Sequence, residues 1–160
     1  MKIHINNGCD KLKSCLLCYP ANYRITNKSN KYYNKVDYNL ALNQYNKYIN
    51  YLIENNVKVI FIDITKSSKQ VYIKDVAFVI ENVLFISKMS LKERKVEIEP
   101  IKKLALEEKL DYYIMQNNIE GGDIVVGDKI IFVGVSSRTN LNAIEELKKV
   151  LIFKGIKKEV

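Results

Sequence analysis

The sequence predicts an α/β fold built from a repeated strand-strand-helix-strand module, and three observations carry that expectation. Short apolar runs alternate with segments of helical periodicity. Two paired-strand stretches resemble each other, "DVAFVIENVLFIS" from Asp75 and "DIVVGDKIIFVGVS" from Asp123. Each opens on Asp, holds two strands around a tight turn (Glu81-Asn82 or Gly127-Asp128), ends near Ser, and leads through an arginine, Arg94 or Arg138, into a helix. The copies stand 48 residues apart, Asp75 to Asp123, and a module recurring at that period points to units set about a pseudo-symmetry axis.

Taken in chain order, residues 12–19, "LKSCLLCY", form a first strand closed by Pro20. A polar loop rich in Tyr and Asn follows over residues 21–36. The next segment, residues 37–56, has helical spacing, with Leu42, Tyr45, Ile49, Leu52 and Ile53 on one face and Asp37 as N-cap. "VKVIFIDI", residues 57–64, is a buried strand. After the first hairpin, a helix turns Ile98, Ile101, Leu104, Ala105 and Leu110 inward, and "LDYYIM" returns as a strand. After the second, a helix turns Leu141, Ile144, Leu147 and Leu151 inward, and "IKKEV" begins the matching strand.

Bulk properties narrow the function classes. A chain of 160 residues with 48% apolar content suits one domain with a real core, here residues 1–160. No window approaches 18 uninterrupted apolar residues, and "MKIHINNGCD" lacks an apolar signal core, so neither a membrane partner nor secretion is expected and the cytoplasm is the default. The net charge of +8 comes mainly from scattered lysines, a solvated surface rather than the basic face that nucleic acid needs. His4, Cys9, Cys15 and Cys18 formally spell a zinc set, but residues three apart on a strand face opposite sides. No metal and no cofactor are therefore expected, and the cysteines read as free thiols.

Chemistry concentrates at the strand ends. Arg24, Arg94 and Arg138 are the only arginines in a lysine-rich chain, and the guanidinium fork grips carboxylates bidentately. Repetition of the module brings Asp75, Glu120, Arg94 and Arg138 to one end of the assembly, an arrangement that suits a zwitterionic ligand. Gly121-Gly122 permits tight backbone geometry and close ligand approach without a Cβ clash, and Asp123 is placed to bind turn amides.

These residues also carry a resemblance. "KQVYIKDVAFVIENVLFIS", then Arg94 and Glu97, then "IEGGDIVVGDKIIFVGVSSRTN", resemble the dimethylarginine dimethylaminohydrolase branch of the guanidino-group-modifying superfamily, which also holds arginine deiminases and amidinotransferases. The match runs in order from about Cys15 to Leu151. The resemblance implies a partial pentein-type α/β propeller, with about three of five modules in this chain. It implies a hydrolase of guanidino C–N bonds, taking arginine or methylarginine to citrulline and an amine through a covalent Cys intermediate, without a cofactor. It further implies Glu120 as the orienter of a catalytic His, Asp75 as the acceptor for the guanidinium, and Arg94 and Arg138 as binders of the substrate carboxylate.

The departures set the remaining expectations. The catalytic His of such enzymes lies beyond the position of Arg138 and the Cys near the end of a longer chain, whereas the one histidine here is His4 and the cysteines lie near the N-terminus. Lys69 stands where some members place an acid, and Lys74 adjoins Asp75. Missing modules would leave sheet edges and apolar module faces open. The chain is thus expected to be inactive alone, a truncated form or half of a split enzyme that pairs with a complementary C-terminal-half chain or as a homodimer. The alternative is a non-catalytic guanidino- or amino-acid-binding or regulatory module.

Overall fold

Strand-strand-helix-strand order recurs in the computed structural model, which describes residues 1–160. In the first copy, β-strands Ala77–Ile80 and Val83–Ile86 form an antiparallel hairpin; an α-helix, Ile98–Glu107, leads back to a third strand, Asp111–Ile114, parallel to the second. The second copy has a hairpin of Ile124–Val126 and Ile131–Val133, then a helix, Leu141–Phe153. Its third strand is a single parallel bridge, Ile130 to Glu159, closed by Ile131 N–H donating to Glu159 O (2.7 Å) and Glu159 N–H to Lys129 O (2.9 Å). Before both copies stand a strand Ser14–Leu17, a helix Tyr38–Glu54 and a strand Lys58–Phe61. In chain order these elements are β1, α1, β2, β3, β4, α2, β5, β6, β7 and α3.

The chain divides into two compact units, Lys11–Ile73, and Met1–Asp10 with Lys74–Val160. In the former, β1 and β2 pair in parallel over four residues, Ser14 to Leu17 against Lys58 to Phe61, so the eight-residue first strand expected is trimmed to the length its partner offers. Leu17, Leu52 and Val57 are buried, with Cys15, Tyr45, Ile49 and Val59 packed against them. Asp37 caps α1 by accepting from Leu40 N–H at 2.9 Å. Ile53, expected inward, is instead 58% exposed. Successive helix residues are about 100° apart, and Leu52 takes the inward position on that last turn.

In the other unit, the apolar residues of both hairpins share one core. Phe78, Ile80, Val83 and Phe85 lie in the same cluster as Ile124, Val126, Ile131 and the α3 residues Ala143, Leu147, Val150 and Leu151. Leu141, expected inward, is 66% exposed. It opens the helix directly after the cap Asn140, whose side chain accepts from Ala143 N–H, and the inward stripe starts at Ala143. The N-terminal residues are stitched to this unit by an Ile5–Glu81 bridge and by the buried Lys158 ammonium, which donates to Asn6 O, Gly127 O and Asp128 O. No helix is long and apolar enough to cross a membrane.

Candidate active site

The site begins with two glycines. Gly121 and Gly122 open a 3-10 turn, Gly121–Asp123, between Glu120 and β6. Neither has a positive φ, so left-handed backbone is not what requires glycine here. The requirement is proximity. A Cβ on Gly121 would land on the Lys74 carbonyl oxygen and 3.0 Å from that of Ala77, and a Cβ on Gly122 would strike Asp75 Oδ1. What comes close to the Gly pair is therefore the chain's own backbone and the Asp75 carboxylate, a correction to the ligand approach expected. It sets Glu120 beside the end of the other module. Because the obstructing atoms at Gly121 are backbone, Gly121→Ala is expected to cost about 3 kcal/mol, the upper end of ordinary overpacking. A thermal melt would read this as a fall of roughly 6–12 °C; an unchanged melting temperature would mean that the two segments separate freely.

Around this approach lies a chain of charges. Arg94, 1% exposed, sits in a 3-10 segment, Lys92–Glu97, that leads into α2. Its Nη1 donates to Asp75 Oδ2 at 2.7 Å, its Nη2 to Glu97 Oε2 at 2.8 Å, and its Nε lies 3.0 Å from Glu97 Oε1. Arg94 Nη1 is 3.8 Å from Glu120 Oε2, and Arg138 Nη1 is 3.1 Å from that same oxygen. The structure thus brings Asp75, Arg94, Glu120 and Arg138 together and adds Glu97, which is fully buried. Burial alone would push the Arg94 guanidinium down, but the Glu97 and Asp75 carboxylates more than offset this and hold it above its ordinary value.

Glu120 is the anomaly in the chain. It is 1% exposed, yet neither carboxylate oxygen accepts a hydrogen bond. Arg138 is near enough for an ion pair but is not aligned to donate, and its side chain is 46% exposed. Burial pushes the Glu120 carboxyl above its ordinary value; Arg138 and Arg94 pull it down without cancelling that effect. Buried carboxylate oxygens in proteins almost always have donors, so a pair without any points to a missing partner.

The Ser136–Asn140 stretch serves mainly as scaffolding. Asp123 Oδ2 accepts from the hydroxyls of Ser136 (3.2 Å) and Thr139 (2.5 Å). The Ser136 hydroxyl in turn accepts from the Arg138 and Thr139 amides, and the Thr139 hydroxyl accepts from Glu120 N–H at 3.1 Å. Asp123 therefore reaches the turn amides only through hydroxyl groups, a correction to the direct contact expected. One carboxylate fixes both the backbone of Glu120 and the loop that carries Arg138.

Sequence reasoning overlooked the buried roles of Glu97 and Thr139. The signal for Glu97 was its spacing from Arg94, three residues on within a helical turn. Thr139 had no comparable signal, since its partner lies across the hairpin. A surface cleft lined by Tyr113, Gln116, Asn117 and Glu146 shares no residue with the charge cluster. Of its two acids, Glu146 already accepts from the Tyr113 hydroxyl and from the Gln116 and Asn117 amides, and Glu145 pairs with Lys148.

A family model described as "N,N dimethylarginine dimethylhydrolase, eukaryotic" matches residues 20–159. The uncharacterized protein YkgA of Bacillus subtilis (strain 168) is 29% identical over 147 residues, covering 88% of this chain and 51% of its own. The chain thus spans about half the length of that relative. A dimethylarginine dimethylaminohydrolase from Pseudomonas aeruginosa, solved as a Cys-to-Ser mutant complexed with citrulline, aligns with a TM-score of 0.77 at 21% identity over 93% of this chain and 60% of its own. An amidinotransferase from Microseira wollei in the saxitoxin biosynthetic pathway aligns with a TM-score of 0.76 at 17% identity, covering 98% of this chain and 61% of its own. At those identities the likeness establishes a mixed α/β fold of the pentein kind. With the family model spanning residues 20–159, the chain belongs to the N,N dimethylarginine dimethylhydrolase family.

Proposed function

We propose that these residues supply the orienting and ligand-holding side of a hydrolase acting on guanidino C–N bonds, and that the nucleophilic Cys and the acid-base His come from polypeptide beyond them. One observation carries this reading: the buried Glu120 carboxylate has two oxygens without a hydrogen-bond donor. A histidine N–H directed at Glu120 would remove that deficit, fix its own tautomer and have its charged form stabilised. The histidine within the chain, His4, has its Nδ1 2.8 Å from Asn82 Oδ1. On this reading the chain contributes about three of five propeller modules, and its partner is a complementary C-terminal-half chain in preference to a second copy of itself, because a second copy brings no further histidine beyond another His4.

The remaining roles follow from the contacts. Arg94 anchors Asp75 Oδ2, leaving Oδ1 as acceptor for a substrate guanidinium N–H. With its nitrogens on Asp75 and Glu97, Arg94 acts as a positioning residue for Asp75, and the half-exposed Arg138, paired with Glu120, is the group whose side chain can swing to a substrate carboxylate. In the reaction, a thiolate adds to the guanidinium carbon, the amine leaves with a proton from the histidine, and water activated by that histidine then releases citrulline and restores the thiolate.

Mixing the chain with a polypeptide that carries the His and Cys tests this. Citrulline should form from arginine or methylated arginines only in the mixture. A well-folded complex that forms no citrulline would overturn the catalytic reading.

A further inference from the structure

Arg138 and Glu120 each have a second use under the function proposed above, and in the chain as it stands each occupies the other. Arg138 Nη1 lies 3.1 Å from Glu120 Oε2, close enough to tie up the guanidinium but not aligned for a hydrogen bond. The side chain bearing that guanidinium is half-exposed and can swing; the carboxylate is buried and cannot. The other charges facing Glu120 are Arg94, Asp75 and Asp123, and none of them competes for Arg138's place. Arg94 is engaged by Asp75 and Glu97, and Asp123 by the Ser136 and Thr139 hydroxyls.

We propose that the Glu120–Arg138 pair is a switch that couples occupation of Glu120 by an N–H donor to binding of an α-carboxylate ligand by Arg138. The inference rests on the function proposed above. While Glu120 lacks a donor, its charge holds Arg138 back from external carboxylates. An N–H donor reaching Glu120, above all a cationic one, takes over the carboxylate and releases the guanidinium. The coupling is reciprocal: a carboxylate on Arg138 bares Glu120 and favours the donor by the same factor, typically 5- to 150-fold for such linkages. The orienting half alone would then bind amino-acid ligand weakly and bind it well once its partner is in place.

The experiment uses this chain without any partner. In Glu120→Gln, with the counter-charge removed, L-citrulline affinity by calorimetry should rise about tenfold. The gain should vanish when Arg138→Ala is added. Independently, modification of Arg138 by phenylglyoxal, followed by peptide mass spectrometry, should be several-fold faster in Glu120→Gln, with the exposed Arg24 unchanged as internal reference. Glu120→Ala repeats both readouts should the amide variant fold poorly. Equal citrulline affinity in wild type and variant, a gain that survives Arg138→Ala, or equal modification rates would each overturn the switch. Because no histidine-bearing partner is present, a failure here beside an active mixture refutes only the coupling. A success here beside an inactive mixture refutes only the catalytic reading.

Discussion

Arg94→Ala is expected to destabilise the protein by about 3–5 kcal/mol, the cost of leaving a buried charge without its partner. Glu97 is fully buried and faces the Arg94 Nε and Nη2, and Asp75 takes Nη1. Removing the guanidinium strands the Glu97 carboxylate in a site where water does not reach it and leaves a space the size of an arginine. For a chain of this length the loss should appear as a melting temperature lower by roughly 6–20 °C. Arg94→Lys should recover only part of it, because an ammonium is a point charge and cannot present one edge to Glu97 and a separate nitrogen to Asp75. Replacing both partners, as Arg94→Met with Glu97→Leu, should be less costly than Arg94→Ala alone, since the fully buried Glu97 charge is removed with the guanidinium and only Asp75 and Glu120 lose its field. If Arg94→Ala cost less than about 1 kcal/mol, the value of an exposed pair, the triad would be a surface interaction and not a buried one.

Much of the fold was legible because periodicity reports which residues must be buried. The paired strands around Glu81-Asn82 and Gly127-Asp128, the helices after them, and the cap at Asp37 all follow from local rules that the structure obeys. The misses fall at helix ends, where a one-residue step decides burial. Ile53 stands beside Leu52, which takes the inward position on the last turn of its helix, and Leu141 opens its helix before the inward stripe begins at Ala143. The site was legible as residue types and not as pairings. Nothing local to Arg94 says that it turns inward to Glu97 and Asp75 instead of outward to a ligand. The glycines at 121 and 122 let the Lys74–Ala77 segment come close, and that segment carries the Asp75 carboxylate that Arg94 binds. Thr139 was hidden for the same reason: its hydroxyl matters only once the hairpin has folded Glu120 N–H onto it.

Glu120→Gln is expected to move stability and catalysis in opposite directions. Burial raises the Glu120 carboxyl in the folded protein above its unfolded value, so between those two values the native state binds the proton and the unfolded state does not. Wild-type stability therefore carries no penalty from this group below the ordinary carboxylate range. It declines as pH rises through the window and carries the full penalty above it. Glutamine has no such term. The variant should melt higher than wild type at neutral pH, and the gap should close as pH falls below about 4, where the unfolded carboxyl is itself protonated. A variant that melts lower at neutral pH would mean that the Arg138 and Arg94 charges outweigh burial. Under the function proposed above, the same change would also remove the anion that steadies a histidinium. By the measure of an orienting carboxylate replaced by its amide in a hydrolytic triad, kcat should fall about 10⁴-fold. KM should move far less, because Asp75 and Arg138 still hold the ligand. A group that only filled space would give the opposite pattern, a lower melting temperature with kcat intact. A gain in stability joined to a loss in kcat is what a buried carboxylate undersupplied with donors should produce if it serves the proposed histidine.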